Sequence, residues 1–121
     1  MEKIMSPQVL DLADVLERVQ GDKQLLLELL DIFTEDYQKK IILLKKSIKD
    51  NDYGQTHNLA HSLKGAAGNI AAKALYETFS KLDDMAKKND LNQAAGILAE
   101  MTERFKSLKE RVVSLKEEFT H

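Results

Sequence analysis

From Leu91 to Phe119 the chain places an apolar residue at every third or fourth position without a slip: Leu91, Ala94, Leu98, Met101, Phe105, Leu108, Val112, Leu115 and Phe119. That spacing is the signature of one long helix with a continuous apolar stripe. Such a stripe needs facing surfaces of similar length, and the rest of the chain offers them. Asp22 heads a run whose apolar positions are Leu26, Leu30, Phe33, Tyr37, Ile41, Leu44 and Ile48, with Leu29 widening the stripe. A further run carries Leu75, Phe79, Leu82 and Ala86. Composition agrees: a single proline and five glycines in 121 residues leave few helix breakers,.

The helix starts are marked by aspartates. Asp11, Asp22, Asp52 and Asp90 each stand where a side-chain oxygen would cap the first turn. Asp52 with Gln55, and Asp90 with Gln93, have the spacing of a capping box. Leu10 and Val15 flank the first cap as a hydrophobic staple, and Gly21 suits the left-handed end of that short helix. The breaks at Gly21-Asp22, Asn51-Asp52 and Asn89-Asp90 are short, and short connections between long helices make neighbours antiparallel. The expected fold is all-α: an up-down-up-down antiparallel four-helix bundle over about 22–49, 52–70, 72–88 and 91–119. A short helix over about 12–20 packs across one end. Residues 1–121 read as one domain, with 1–10 an irregular lead-in and Ser6-Pro7 a turn signal.

Within that frame the stretch Leu59–Ile70, LAHSLKGAAGNI, is unusual. At about 100° per residue, Leu59, Leu63, Ala66, Ala67 and Ile70 form one apolar face. His57, His61, Lys64, Gly65 and Gly68 share the opposite face. A glycine inside a helix costs about 1 kcal/mol relative to alanine, so two on one exposed face call for a reason. Close helix packing would put them on the apolar side, and they are on the other. The reading is that Gly65 and Gly68 clear the surface beside His61 so that a partner can approach the ring. His57 belongs to the same docking face.

A surface histidine is ordinarily just a solvated polar residue. Here Lys64, one turn ahead, brings a cation suited to negative charge arriving at the imidazole. Imidazole can carry a covalent intermediate and so divide one transfer into two easier ones. A phosphoryl group fits best, since it brings the charge and needs room for an in-line partner.

The run His61-Ser62-Leu63-Lys64-Gly65-Ala66-Ala67-Gly68-Asn69-Ile70 resembles the signature of the histidine phosphotransfer (HPt) domain family, and the likeness extends over nearly the whole chain. The resemblance implies that His61 is phosphorylated from a receiver-domain aspartate and passes the group to another response regulator. Lys64 and Gly65 match the family's lysine and glycine. It implies no cofactor of the chain's own, with magnesium supplied by the receiver, and a sensor histidine kinase, often a hybrid one, upstream. The family usually has a glycine ten residues after the histidine; here Ala71 stands there, which leaves the tightness of that turn open. Members often place an amide or acid on the next helix, near the imidazole nitrogen that is not phosphorylated. That position is Asp83 as a possible hydrogen-bond partner, although the sequence favours an ordinary exposed carboxylate there.

Other classes fit less well. A net charge of −2 without a basic face argues against nucleic acid,. With no cysteine there is no thiolate metal site or thiol nucleophile,. His57 and His61 alone are too few ligands for zinc, and His121 is at the far end of the chain. No glycine-rich nucleotide loop or kinase signature appears, so a phosphoryl carrier without autonomous kinase activity is expected. The alternative is a helical adaptor or dimerisation module built on the final helix, but the bundle itself consumes that helix's stripe, and a monomer is expected. The longest apolar run is four residues, Ile41–Leu44, so no segment spans a membrane and a cytoplasmic setting is expected,.

Overall fold

The computed structural model describes residues 8–120; the Ser6-Pro7 turn lies outside that range. The chain folds as α1 (Leu12–Arg18), α2 (Lys23–Lys49), α3 (Tyr53–Asn69), α4 (Lys73–Lys87) and α5 (Ala94–Phe119), with no strand among the described residues. Each long helix packs on the next, and α5 closes the ring on α2. Cross-helix pairs run in opposite directions along each partner, as antiparallel neighbours require. Ser47 meets Thr56 at the base of α2 and α3, while Lys40 reaches Ser62 further along. Arg104 of α5 bonds near Ala74, and Lys116 pairs with Asp31 of α2.

Three of the four aspartate caps form: Asp11, Asp22 and Asp52 accept the amides of Asp14, Leu25 and Gln55 at 3.2, 3.0 and 3.1 Å. Each contributes about 1 kcal/mol. The reciprocal half of the Asp52–Gln55 box is absent, because the Asp52 amide donates to Ser47 O at 2.8 Å instead. The expected start of the last helix is corrected too. Asp90 accepts from the amide of Asn92, two residues on, in a tight turn,. The helix begins at Ala94, and Leu91 is buried in the connection ahead of it.

The core is built from the expected stripes. Leu75, Phe79, Leu82 and Ala86 of α4 are all buried, as are Met101, Phe105, Leu108, Val112 and Leu115 of α5. Tyr37 stacks on Phe105 with ring centroids 3.7 Å apart. Burial pushes the Tyr37 phenol up to about 12,. On α2 the stripe is wider than the periodicity suggests: Leu27 and Ser47 are buried, while Ile41 and Ile48 are only partly so. That helix touches α1, α3 and α5, so its covered arc spans more than one face.

Residues 8–11 and α1 lie across the α3–α4 turn, the rest of the expected lead-in being outside the described residues. Asp11 N donates to Ala71 O at 2.9 Å, Ala74 N to Gln8 O at 2.8 Å, and Lys73 pairs with Asp11 at 2.8 Å. That turn is tight despite lacking glycine. Ala71 adopts φ 57°, and Ala72 N closes on Ala67 O at 2.9 Å. A left-handed alanine costs about 1 kcal/mol, against which its methyl is buried. No helix among the described residues is long and apolar enough to cross a membrane.

Candidate functional site

The α3–α4 pair is held close by small residues, among them Ala60, Ala67, Ala72 and Ala74, all buried. In its antiparallel register Gly68 lies opposite Tyr76, and His57 lies opposite Asp83. His61 stands one turn along α3 from His57, its side chain 67% exposed. The ring therefore projects from the bundle, as the two-faced pattern of the sequence predicts.

Asp83 departs from the expectation of an exposed carboxylate: its side chain is completely buried. One oxygen, Oδ1, is hydrogen-bonded to His57 Nδ1. A carboxylate only accepts, so the imidazole donates. The other oxygen, Oδ2, has no hydrogen-bond partner among the described residues. Three groups stand beyond hydrogen-bonding distance but within ion-pair reach of it: Lys87 Nζ at 3.6 Å, His61 Nδ1 at 3.8 Å and Lys64 Nζ at 3.9 Å. A buried acceptor left without a donor costs about 1–3 kcal/mol. Packing alone gives no reason to keep it.

Lys64 is half-buried and sits 5.9 Å over the ring of Tyr76 as well as near Asp83. Its ammonium thus lies near two neighbours on α4, one of them the carboxylate that His61 also approaches. Gly65 is exposed, and a Cβ there would meet nothing within 4 Å. Gly68 is different: a Cβ at that position would lie 3.4 Å from the Tyr76 ring. The expectation that both glycines avoid the packing side is therefore corrected for Gly68. It faces the Tyr76 side chain of α4, and its carbonyl accepts from Arg18 Nη1 at 3.1 Å.

Two residues of this neighbourhood escape the sequence reading. Lys87 follows Asp83 by one helical turn, and Tyr76 precedes it by two, so both share its face of α4. The signal was present in the spacing, but it gains meaning only once Asp83 is known to face α3. Among the described residues no group of three or more His, Cys, Asp or Glu is placed to hold a metal ion.

The site thus sets an exposed imidazole beside a buried carboxylate and a lysine on an antiparallel helical bundle. The family model for the Hpt domain matches residues 28–114. The chain belongs to the Hpt domain family, whose members serve in phosphorelays. The fold is similar to the crystal structure of histidine-containing phosphotransfer protein B (HptB) from Pseudomonas aeruginosa PAO1. The TM-score is 0.80, with 93% of this chain and 96% of that chain covered at 23% sequence identity. At that identity the likeness speaks for the fold. No curated protein matches the chain in sequence.

Proposed function

We propose that the protein is a phosphoryl carrier in which His61 takes the group from a receiver-domain aspartate and passes it to another response regulator. The observation that carries this reading is the placement of His61 Nδ1 toward Asp83 Oδ2, 3.8 Å away, on a ring that is otherwise exposed. A proton held on Nδ1 leaves the lone pair on Nε2, the nitrogen on the open side. Nε2 attacks phosphorus, the P–O bond to the receiver aspartate breaks, and that aspartate leaves as a carboxylate. The imidazole now carries a P–N bond and a positive charge, which the Asp83 carboxylate opposes. On the return step the P–N bond breaks to a neutral ring, because the proton has stayed on Nδ1. Lys64 opposes the charge of the phosphoryl oxygens in both directions.

The His61 side chain is largely open to solvent, so the receiver completes the site and brings the magnesium. Gly65 provides clearance for it. The partners are receiver domains and, upstream, a sensor histidine kinase; the chain acts as a cytoplasmic monomer without kinase activity of its own. The test is to incubate the protein with a phosphorylated receiver domain and magnesium and to follow acid-labile phosphate on this chain. His61→Gln is expected to take up none. Label entering that variant as fast as the parent would overturn the reading.

A further inference from the structure

The hydrogen bond that Asp83 makes is to His57 and not to His61. We infer that His57 is a positioning residue for the transfer: its Nδ1–H pins Asp83 Oδ1 and so fixes the carboxylate plane with Oδ2 turned toward the Nδ1–H of His61. This rests on the carrier reading above.

Several groups compete for one carboxylate. Asp83 has two oxygens, and the cations of Lys87 and Lys64 lie as near to Oδ2 as His61 does, at 3.6 and 3.9 Å. A carboxylate free to turn would close these longer ion pairs into direct charge-assisted bonds, drawing Oδ2 away from His61,. It is not free to turn. Oδ1 is already engaged by a ring on the same helix as His61, one turn away, and the side chain is wholly buried. One imidazole thus holds Oδ1 by a hydrogen bond, and the other stands 3.8 Å from Oδ2.

The rings also support each other. Their centroids are 5.6 Å apart with planes inclined by 32°, so His57 borders the space in which the His61 ring turns. An engaged Nδ1 and a side chain 36% exposed also set His57 apart from a simple docking residue. The transfer step keeps its balance under this arrangement. The proton on His61 Nδ1 stays throughout, the phosphoryl group joins and leaves at Nε2, and His57 exchanges no atom with either.

The test uses substitutions that separate donor position from side-chain bulk. In asparagine the amide nitrogen stands where Nδ1 stands in histidine; in glutamine it stands where Nε2 does. Long-range proton–nitrogen NMR spectra report which nitrogen of His61 carries the proton, with no partner protein needed. Phosphoramidate, a small phosphoryl donor, reports the reactivity of Nε2. In the parent, His61 is expected as the Nδ1–H tautomer. In His57→Gln the proton is expected to shift toward Nε2, with labelling of His61 about tenfold slower, the order of one lost charged hydrogen bond. His57→Asn is expected to restore both readouts. His57→Leu should behave as His57→Gln where its circular dichroism shows a folded bundle, and the Asn–Gln pair decides the matter should it not fold. An unchanged tautomer and rate in His57→Gln overturns the inference, as does equal loss in His57→Asn. Neither result touches the carrier reading, which stands or falls on label in His61→Gln.

Discussion

Helix α4 buries polar side chains on both flanks, and the two flanks resolve the burden differently. Toward α5, buried Thr78 belongs to a closed cluster. Arg104 Nη1 lies 2.8 Å from Ala74 O and 3.0 Å from both Glu77 Oε1 and Thr78 Oγ1, and its Nη2 lies 3.3 Å from Glu100 Oε1. Thr78 Oγ1 also lies 3.2 Å from Glu100 Oε2, and Lys81 adds a contact to Glu100 at 3.3 Å. Toward α3, buried Asp83 spends one oxygen on His57 and leaves the other without a donor. A cluster that only joins helices has every reason to close, since each open acceptor costs stability. An open one beside an exposed imidazole is what the proposed carrier role would use to hold a proton on His61.

The comparison breaks most directly at Asp83. Replacement by leucine, of similar shape, removes a buried charge whose neighbours are partly solvated. Stability is expected to hold or to rise by about 1 kcal/mol, while transfer to His61 from a phosphorylated receiver falls about 100-fold. Denaturant melts and a labelling time course read the two effects. A loss of stability of several kcal/mol would show that the open flank is structural after all. Arg104→Met makes the opposite prediction. Stability falls by about 2 kcal/mol as the closed cluster loses its hub, and the labelling rate of the folded protein does not change. A transfer defect in that variant would erase the distinction between the flanks.

The open flank should also be the one that is not optimised for stability. Gly65 lies mid-helix with free space around it, so Gly65→Ala is expected to raise stability by about 1 kcal/mol. Transfer from a receiver should slow only slightly with one added methyl. Gly65→Leu should impair docking strongly in a folded bundle. For Gly68 the contact with Tyr76 changes the expectation, and a large side chain there should destabilise the α3–α4 pair instead,.

These differences show how far the amino-acid pattern reaches. Periodicity places all five helices, and it puts His61, Lys64 and Gly65 on a face away from the core, because both depend on residues of one segment. Asp83 is another matter. A charged residue is exposed by default, and its burial depends on what α3 brings opposite it. Only the register between the two helices sets that, and the same register turns Gly68 into a packing position. The late start of α5 has a smaller cause of the same kind. Asp90 can reach the amide of Asn92 or that of Gln93, and spacing does not choose between them.

The smallest effect concerns acid. Glu77 is held below the usual carboxylate range, first by its hydrogen bond to Arg104, with further help from the charge of Lys81,. Its pKa is lower in the folded than in the unfolded chain, so the unfolded state binds a proton first as the pH drops. The stability it contributes is therefore present above about pH 4.5, the ordinary glutamate value, and is lost as the pH falls through its folded value. Because Glu77 is largely solvated, screening keeps this contribution small. The checkable consequence is a slope. Between about pH 5 and 3, stability should fall less steeply in Arg104→Met than in the parent, since the variant has already lost the partner that lowers Glu77. Equal slopes would mean that Lys81 alone holds the carboxylate down, and that the closed flank is tied together by its neutral hydrogen bonds to Thr78 and Ala74 more than by charge.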